Sequence, residues 1–593
     1  MEVQPFLNQW FPAKDEVKFI DAVNHEILQL TQLQHVPLGP TYKTLTGSEV
    51  RENLTIHRMC KKFERPELRD ANDRKIRSIS DVLRHDSQGL PFYGTFSPHA
   101  SVTCPEVKKV LYKARVSLQA NIHKYFRIDP EMLMFPSGET LVSAHKKVDL
   151  QYKLHNLSQW CITQDALPFF YKLAHKHRAL KKMVKQHWYN KVRYDFGPTR
   201  QSDVRRRERD LWFTYGTPSS VFNAKVDLIV TIVEGARFST VSKNNEMDRV
   251  IECEAMLNMI CQRVIAFGIQ RVLRLGYGII VTIGQDIHKA LIQGPVDTTD
   301  LRNASNSIWL QVCDFFLGGT ELGRLVHKTR SPQVDVDDVT YLLNMVAPMG
   351  NGFTFELMTL LLLAICREVD ENATVYGDDI ITHKGTDLVH ASLLAIGVNL
   401  NTEKTFVDSP FRESCGGFYH DDIGYIESFE FEWAEDLYDA IVLVNKMKII
   451  LGNLQQHERV VSEAYHRLLR LAPSLCLVPG TPRRDTLDEG VFVSKTFLRK
   501  VHSNLDPALR AEIAPARTSI VSRFHLHKEF VFPCVKVEKK NVKRCNAPLH
   551  VRDASWLYYY LYNGRRLNPE KREQRVKRTL TLCSDSHQTV HKF

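Results

Sequence analysis

Hydrophobic and polar positions along the chain fall into two kinds of pattern. Apolar residues recur at three- and four-residue intervals in 16–33, 107–125, 433–451 and 458–471, which predicts amphipathic helices. A longer helical pattern covers 254–275. In 354–368 the run Leu357 to Cys366 is apolar on nearly every side, so that helix must be buried. Short β-branched runs at 226–233 and 375–382 predict strands. Strands alternating with long helices from residue 226 onward predict an α+β core, and the segment after 424 reads as largely helical. Gly and Pro cluster in 90–104 and 196–219, which predicts loops. No repeat of fixed period is present, which argues against a solenoid.

At 593 residues the chain is too long for one core, and its 43% apolar content is that of a globular protein. The longest apolar run is about half of the roughly 20 residues a membrane span requires. The opening MEVQPFLNQWF lacks the basic and apolar regions of a secretory signal, so a cytosolic protein is expected. The 12 cysteines are scattered without a C-x-x-C pair, which favours buried reduced thiols over zinc or disulfides.

The net charge of +11 is unevenly spread. Residues 172–209 hold 13 basic and three acidic side chains, with Trp188, Tyr189, Tyr194 and Phe196 interleaved. Residues 565–578 hold seven basic side chains against two Glu. Either run alone is commonly a solvated face. Together they favour a polyanionic partner such as RNA or DNA.

The most informative string is Ala373-Thr-Val-Tyr-Gly-Asp-Asp-Ile-Ile-Thr382. It predicts a tight β-hairpin with Asp378 and Asp379 at its tip. Adjacent carboxylates repel each other and gain nothing from packing, whereas a hard divalent cation resolves the repulsion. A third carboxylate is available at Asp300, where an extended piece is expected to run into a helix with Ile308, Val312, Phe315 and Phe316 on its apolar face. Taken alone, Asp300 reads more readily as a helix N-cap. In Ala347-Pro-Met-Gly-Asn-Gly-Phe353 the glycines Gly350 and Gly352 permit close backbone approach to a ligand, and Asn351 offers a donor and an acceptor.

The order of these strings resembles that in viral RNA-dependent RNA polymerases. In detail VSKNNEMDR, DLRNASNSI, MGNGFTFEL, VYGDDII and KTF…PFRESCG are similar to the replicase beta chain of the single-stranded RNA bacteriophages, the leviviruses. The resemblance covers about 235–416 and implies a right-hand fold with fingers, an antiparallel palm and a thumb. The corresponding division is 1–225 for the N-terminal region and fingers, 226–290 for fingers with a basic strand, 291–420 for the palm, and 421–593 for the thumb and basic tail.

The resemblance also implies residue roles. Asp300, Asp378 and Asp379 would hold two Mg²⁺ or Mn²⁺ ions for nucleotidyl transfer from ribonucleoside triphosphates. Lys243 and Arg249, with Arg237 assisting, would hold the triphosphate, and Lys404 would protonate the leaving pyrophosphate. Asn306, Gly350 and Asn351 fall in the nucleotide-binding strings, and Phe411 to Gly416, including Cys415, would form the turn under the nascent 3′ end. Asn306 stands where the family has Asp, and Pro348 where it has Ser, which puts selection of the ribose 2′-hydroxyl in question. Expected partners are RNA template and product, with host elongation factors Tu and Ts and a ribosomal protein in the bacterial cytoplasm. A reverse transcriptase and a non-catalytic RNA-binding scaffold are the competing readings. Walker, dinucleotide-binding and His-Glu-x-x-His motifs are absent from the sequence.

Overall fold

The computed structural model describes residues 13–503, apart from 65–70, 89–95, 99–101, 135–137, 143–149, 196–200, 244–246 and 474–475, together with 535–538, 548–549 and 579–582. The basic run 565–578 lies outside the described residues.

The fold is a mixture of helices and small sheets. The main helices are α1 (Ala13–Leu30), α2 (Gly47–Cys60), α3 (Pro105–Tyr125), α4 (Met256–Tyr277), α5 (Thr354–Arg367), α6 (Leu437–Ile450) and α7 (Glu458–Leu471). The strands that matter most are β1 (Ala236–Ser242), β2 (Asp248–Cys253), β3 (Asp297–Thr299), β4 (Thr374–Tyr376), β5 (Asp379–Thr382), β6 (Phe411–Ser414), β7 (Gly417–His420) and β8 (Gly424–Tyr425). The helix periodicities are realised to within a few residues, and 458–471 is helical end to end.

Helices α3, α4 and α5 share the largest core. The helix α5 is buried along its whole length from Glu356 to Cys366, as its all-round apolar pattern requires. Against this core lies a three-stranded antiparallel sheet in the order β4-β5-β3. Residues 13–63 and 429–498 form a separate core, in which Phe19, Val23 and Ile27 of α1 pack with Ile441, Val444 and Leu468 of α6 and α7. Glu52 of α2 closes the start of α7 by accepting hydrogen bonds from the backbone N–H groups of Gln455, Gln456 and His457 at 3.1, 3.1 and 2.9 Å.

Three expectations about elements fail. The loop expected over 196–219 holds the helix Gln201–Tyr215, because the Gly and Pro of that stretch flank 201–215 and none falls inside it. Val226 ends a helix (Pro218–Asp227) that opens with a Thr217 cap and Pro218, and only Thr231–Val233 is strand. The helix expected directly after Asp300 starts at Leu310, because Leu301–Arg302 pairs with Asn399–Leu400 and a short 3₁₀ turn intervenes. Ile308 therefore precedes the helix, and Asp300 caps nothing. Among the described residues no single helix is long and apolar enough to cross a membrane.

Candidate active site

Strands β4 and β5 form the expected hairpin: Tyr376 pairs with Asp379, and Gly377 (φ 67°) and Asp378 make the turn. That φ favours glycine, and a Cβ on Gly377 would lie 2.7 Å from the Phe355 ring of α5. The Gly377 N–H donates to Thr359 Oγ1 of the same helix at 3.0 Å, so α5 fixes the height of the turn. Strand β5 continues the sheet to β3 with Ile380 opposite Thr299. Asp300 and Asp379 each stand one residue beyond that pair, at the same end of the ladder.

These carboxylates act on one another. Desolvation, then Asp378 and Asp300, push Asp379 up to about 6. Desolvation also raises Asp300, with Asp378 adding to it and Lys404 opposing it. Each carboxylate has its own support. Asn401 Nδ2 donates to Asp300 Oδ2 at 2.6 Å, and Thr405 Oγ1 lies 3.4 Å from the Asp300 backbone N and O. The thiol and backbone N–H of Cys415 stand beside Asp379 and favour its charged form. That thiol is held far above the ordinary cysteine range by burial first and by Asp379 second, so Cys415 is a hydrogen-bond donor here and no nucleophile.

Two lysines face the carboxylates. Lys404 Nζ lies 3.9 Å from Glu413 Oε2. Desolvation disfavours its charge, but Glu413, Asp300, Asp379 and Asp378 more than offset this and raise the ammonium's pKa. Glu413 itself is buried, and desolvation pushes it up to about 7 although Lys404 opposes the shift. Lys243, which follows β1, feels Asp300 and Asp378 as attractive charges. Desolvation and the neighbouring Arg249 and Lys404 nonetheless draw it below the usual lysine range. Arg249 on β2 is exposed beside it.

Several candidates are placed differently. Asn351 is buried, its amide donates to Glu254 Oε1 at 3.2 Å, and its side-chain oxygen accepts from the Phe353 N–H, so it organises the loop from inside. Gly350 (φ 114°) does provide a close approach, but to the protein's own strand: a Cβ there would lie 2.2 Å from the Glu252 carbonyl oxygen. Gly352 likewise packs against Gln262 and Met259 of α4. Phe411 is fully buried against Tyr42, Phe406 and Phe418, and so braces the β6–β7 hairpin from below. Gly416 sits at the tip of that hairpin with φ 70°. Asn306 is half-buried in the 3₁₀ turn, where Ser305 Oγ donates to it at 3.4 Å. Arg237 is tied to Glu139 and the Leu141 carbonyl, each at 3.0 Å, and is a structural strut. Asn401, Thr405, Glu413 and Thr359 were not singled out from the sequence. The first three lie inside strings read only for their lysine, aromatic and cysteine, and their polar side chains were the available signal.

Among the described residues no three His, Cys, Asp or Glu side chains are already gathered into a ligand set for a metal. The chemistry of the donors nevertheless suits a hard divalent cation. The exposed Asp378 adds to the raised proton affinity of the half-buried Asp300 and Asp379, and a cation of charge two removes that conflict.

An acidic cluster on antiparallel strands, flanked by lysines, is the setting in which residues 171–461 match the family described as RNA replicase, beta-chain. That match covers just under half of the chain. The chain is similar to the RNA-directed RNA polymerase subunit beta of Escherichia virus Qbeta, 37% identical over 198 residues that make up 30% of this chain and 33% of the relative. It is 30% identical to the RNA-directed RNA polymerase beta chain of Enterobacteria phage fr, over 49% of this chain and 53% of that one. The corresponding chain of Escherichia phage MS2 is 33% identical over 37% and 42%. The matches thus span between a third and about half the length of these relatives. Among solved structures, the insertion-loop deletion mutant of the RNA-dependent RNA polymerase of a human picorbirnavirus aligns at a TM-score of 0.29 with 14% identity, over 49% of this chain and 64% of that one. That score is too low to bear on the architecture.

Proposed function

We propose that this chain is a template-directed RNA polymerase that copies a phage RNA genome from ribonucleoside triphosphates. The observation that carries this reading is the meeting of Asp300, from β3 and its extension, with Asp378 and Asp379 of the β4–β5 hairpin. In the proposal 291–420 is the palm, 421–593 the thumb, and 1–225 with 226–290 the fingers. The N-terminal helix α1, packed on α6 and α7, serves to brace the thumb.

Asp300, Asp378 and Asp379 would hold two Mg²⁺ ions, and Mn²⁺ would substitute. When bound, these ions supply acidification of the primer 3′-hydroxyl and neutralisation of the triphosphate. The remaining work falls to the chain's own side chains. Asn401 fixes the Asp300 carboxylate and leaves its second oxygen for ligation. Cys415, from the β6–β7 turn, would favour the charged form of Asp379. Lys243 and Arg249 would bind the triphosphate electrostatically. Lys404, kept protonated by Glu413 and the aspartates, would donate a proton to the departing pyrophosphate oxygen. Asn306 would hydrogen-bond the ribose. RNA template and product are the macromolecular partners, gripped through phosphates by surfaces that include 172–209. Host elongation factors Tu and Ts and a ribosomal protein, met in the bacterial cytoplasm, are proposed as subunits from the family resemblance.

The test is primer extension on an RNA template with Mg²⁺, offering ribo- and deoxyribonucleotides in parallel. Ribonucleotide incorporation that is lost in Asp378→Asn while RNA binding persists supports the polymerase. Deoxynucleotide incorporation would assign a reverse transcriptase, and binding without incorporation by the unaltered chain would assign a scaffold.

A further inference from the structure

Helix α2 brings a second group of cations to the Lys404 side of the carboxylates. Its apolar residues Val50 and Leu54 share a small core with Tyr42, Phe406, Phe411 and Phe418, which lays the helix against the sheet β6-β7-β8. The Arg58 guanidinium stands 5.0 Å over the Phe418 ring, and Phe418 is the cross-strand partner of Glu413. Arg58 and the following Lys61 are thereby held beside the Glu413–Lys404 pair.

The carboxylates present do not balance these charges. Glu430 faces Arg58 at 3.6 Å, Lys61 at 3.8 Å and Lys62 at 2.7 Å, and the exposed Glu432 meets only Lys62, at 3.6 Å. Desolvation and then Lys404 draw the Lys61 ammonium below its ordinary value. The same surroundings, desolvation first and then His35, Lys61, Arg58 and Lys404, push His57 down to about 4. Glu413, the carboxylate between Lys404 and α2, is itself driven towards its neutral form. Packing of Val50 and Leu54 therefore fixes cations where their mutual repulsion is only partly relieved. An anion of higher charge density, such as a phosphate, completes such a cluster.

We propose that Arg58 and Lys61 hold a backbone phosphate of the nascent RNA strand just behind the reacting end, so that the N-terminal region forms one wall of the product path. The inference rests on the polymerase reading above. A phosphate could also come from the incoming triphosphate, but the positions favour the strand. Lys243 senses Asp300 and Asp378 directly, whereas the charges acting on Lys61 are Lys404, Glu430, Arg58 and Glu413. The α2 cations thus stand one step behind Lys404 as seen from the aspartates.

The test uses the full chain with a labelled RNA primer–template, measuring its Kd across a salt series and the KM for the next ribonucleotide. Arg58→Ala/Lys61→Ala is compared with the unaltered chain and with Arg459→Ala, an exposed charge on α7. The expected result is about tenfold weaker primer–template binding and a salt slope shallower by roughly 1, near 0.9 for the one lost phosphate contact. KM should be unchanged, Lys61→Arg should restore binding, and Arg459→Ala should behave as the unaltered chain. Should the double variant fail to fold, Lys61→Gln alone is read the same way, since its side chain is one-third exposed. Unchanged affinity and slope would overturn the proposal. So would a raised KM with unchanged affinity, which reassigns the cations to the triphosphate. Failure of the unaltered chain to incorporate nucleotide would instead sink the polymerase reading and is scored separately.

Discussion

Asp300 and Asp379 each stand one residue beyond the antiparallel Thr299–Ile380 pair, at the same end of it, and Asp300 is among the charges that raise Asp379. Some 79 residues of chain separate them, and the intervening helices exist largely to return the second strand to the first. Both carboxyls have raised proton affinity from desolvation and from Asp378. Asp300→Asn and Asp378→Asn are therefore expected to lower nucleotide incorporation by about 10³-fold, the scale of losing a key electrostatic group. Urea unfolding without divalent cation should find both variants at least as stable as the parent, because a repulsion has been removed.

Glu413 gives a pH signature. Its native pKa of about 7 lies above its ordinary value of 4.5, so the group favours the folded state fully below about pH 4.5 and progressively less as pH rises through 7. Glu413→Gln removes that loss. Urea unfolding should show the variant close to the parent at pH 4.5 and more stable at pH 8, by about 2–3 kcal/mol at most.

Glu52 works in the opposite direction. Desolvation opposes its charge, but the N–H groups of Gln455, Gln456 and His457 and the His457 ring outweigh it and hold the carboxyl below 4.5. Its contribution is present above pH 4.5 and lost as pH falls through the lowered native value. Glu52→Ala leaves these donors unpaired and should cost about 3 kcal/mol at pH 7 in denaturant unfolding.

Gly350→Ala should be among the most damaging changes outside the acidic cluster. The added Cβ meets the Glu252 carbonyl oxygen at 2.2 Å in a backbone region unfavourable to side chains. A loss of more than about 2 kcal/mol is expected, read as a lowered Tm.

Cys415 should resist alkylation near neutral pH, since desolvation and the neighbouring Asp379 hold its half-buried thiol protonated. Among the described cysteines, exposed Cys104 should label first when maleimide-modified peptides are mapped by mass spectrometry. Cys415→Ala should slow incorporation several-fold, and Cys415→Ser, which keeps a donor to Asp379, should recover most of it.

What the sequence disclosed followed the chemistry of single side chains. Two adjacent aspartates at a turn have no packing reason to exist, so Asp378 and Asp379 stood out, and the all-apolar run in α5 could only be buried. What it hid were choices made by tertiary contacts. The glycines of the 350–352 loop read as room for a ligand, yet they make room for Glu252 and α4. Asn351 and Phe411 carry side chains suited to a site but face the interior. The cations of α2 lie more than 300 residues from Lys404 in the chain, and only the packing of Val50 and Leu54 on the β6–β7 hairpin unites them.

The central claim is that Asp300, Asp378 and Asp379 share divalent cations, and calorimetric titration of Mn²⁺ into the full chain tests it most directly. Saturable binding that is abolished or weakened at least about tenfold in both Asp300→Asn and Asp378→Asn is the predicted result. Undiminished Mn²⁺ binding in the Asp300→Asn chain would contradict it.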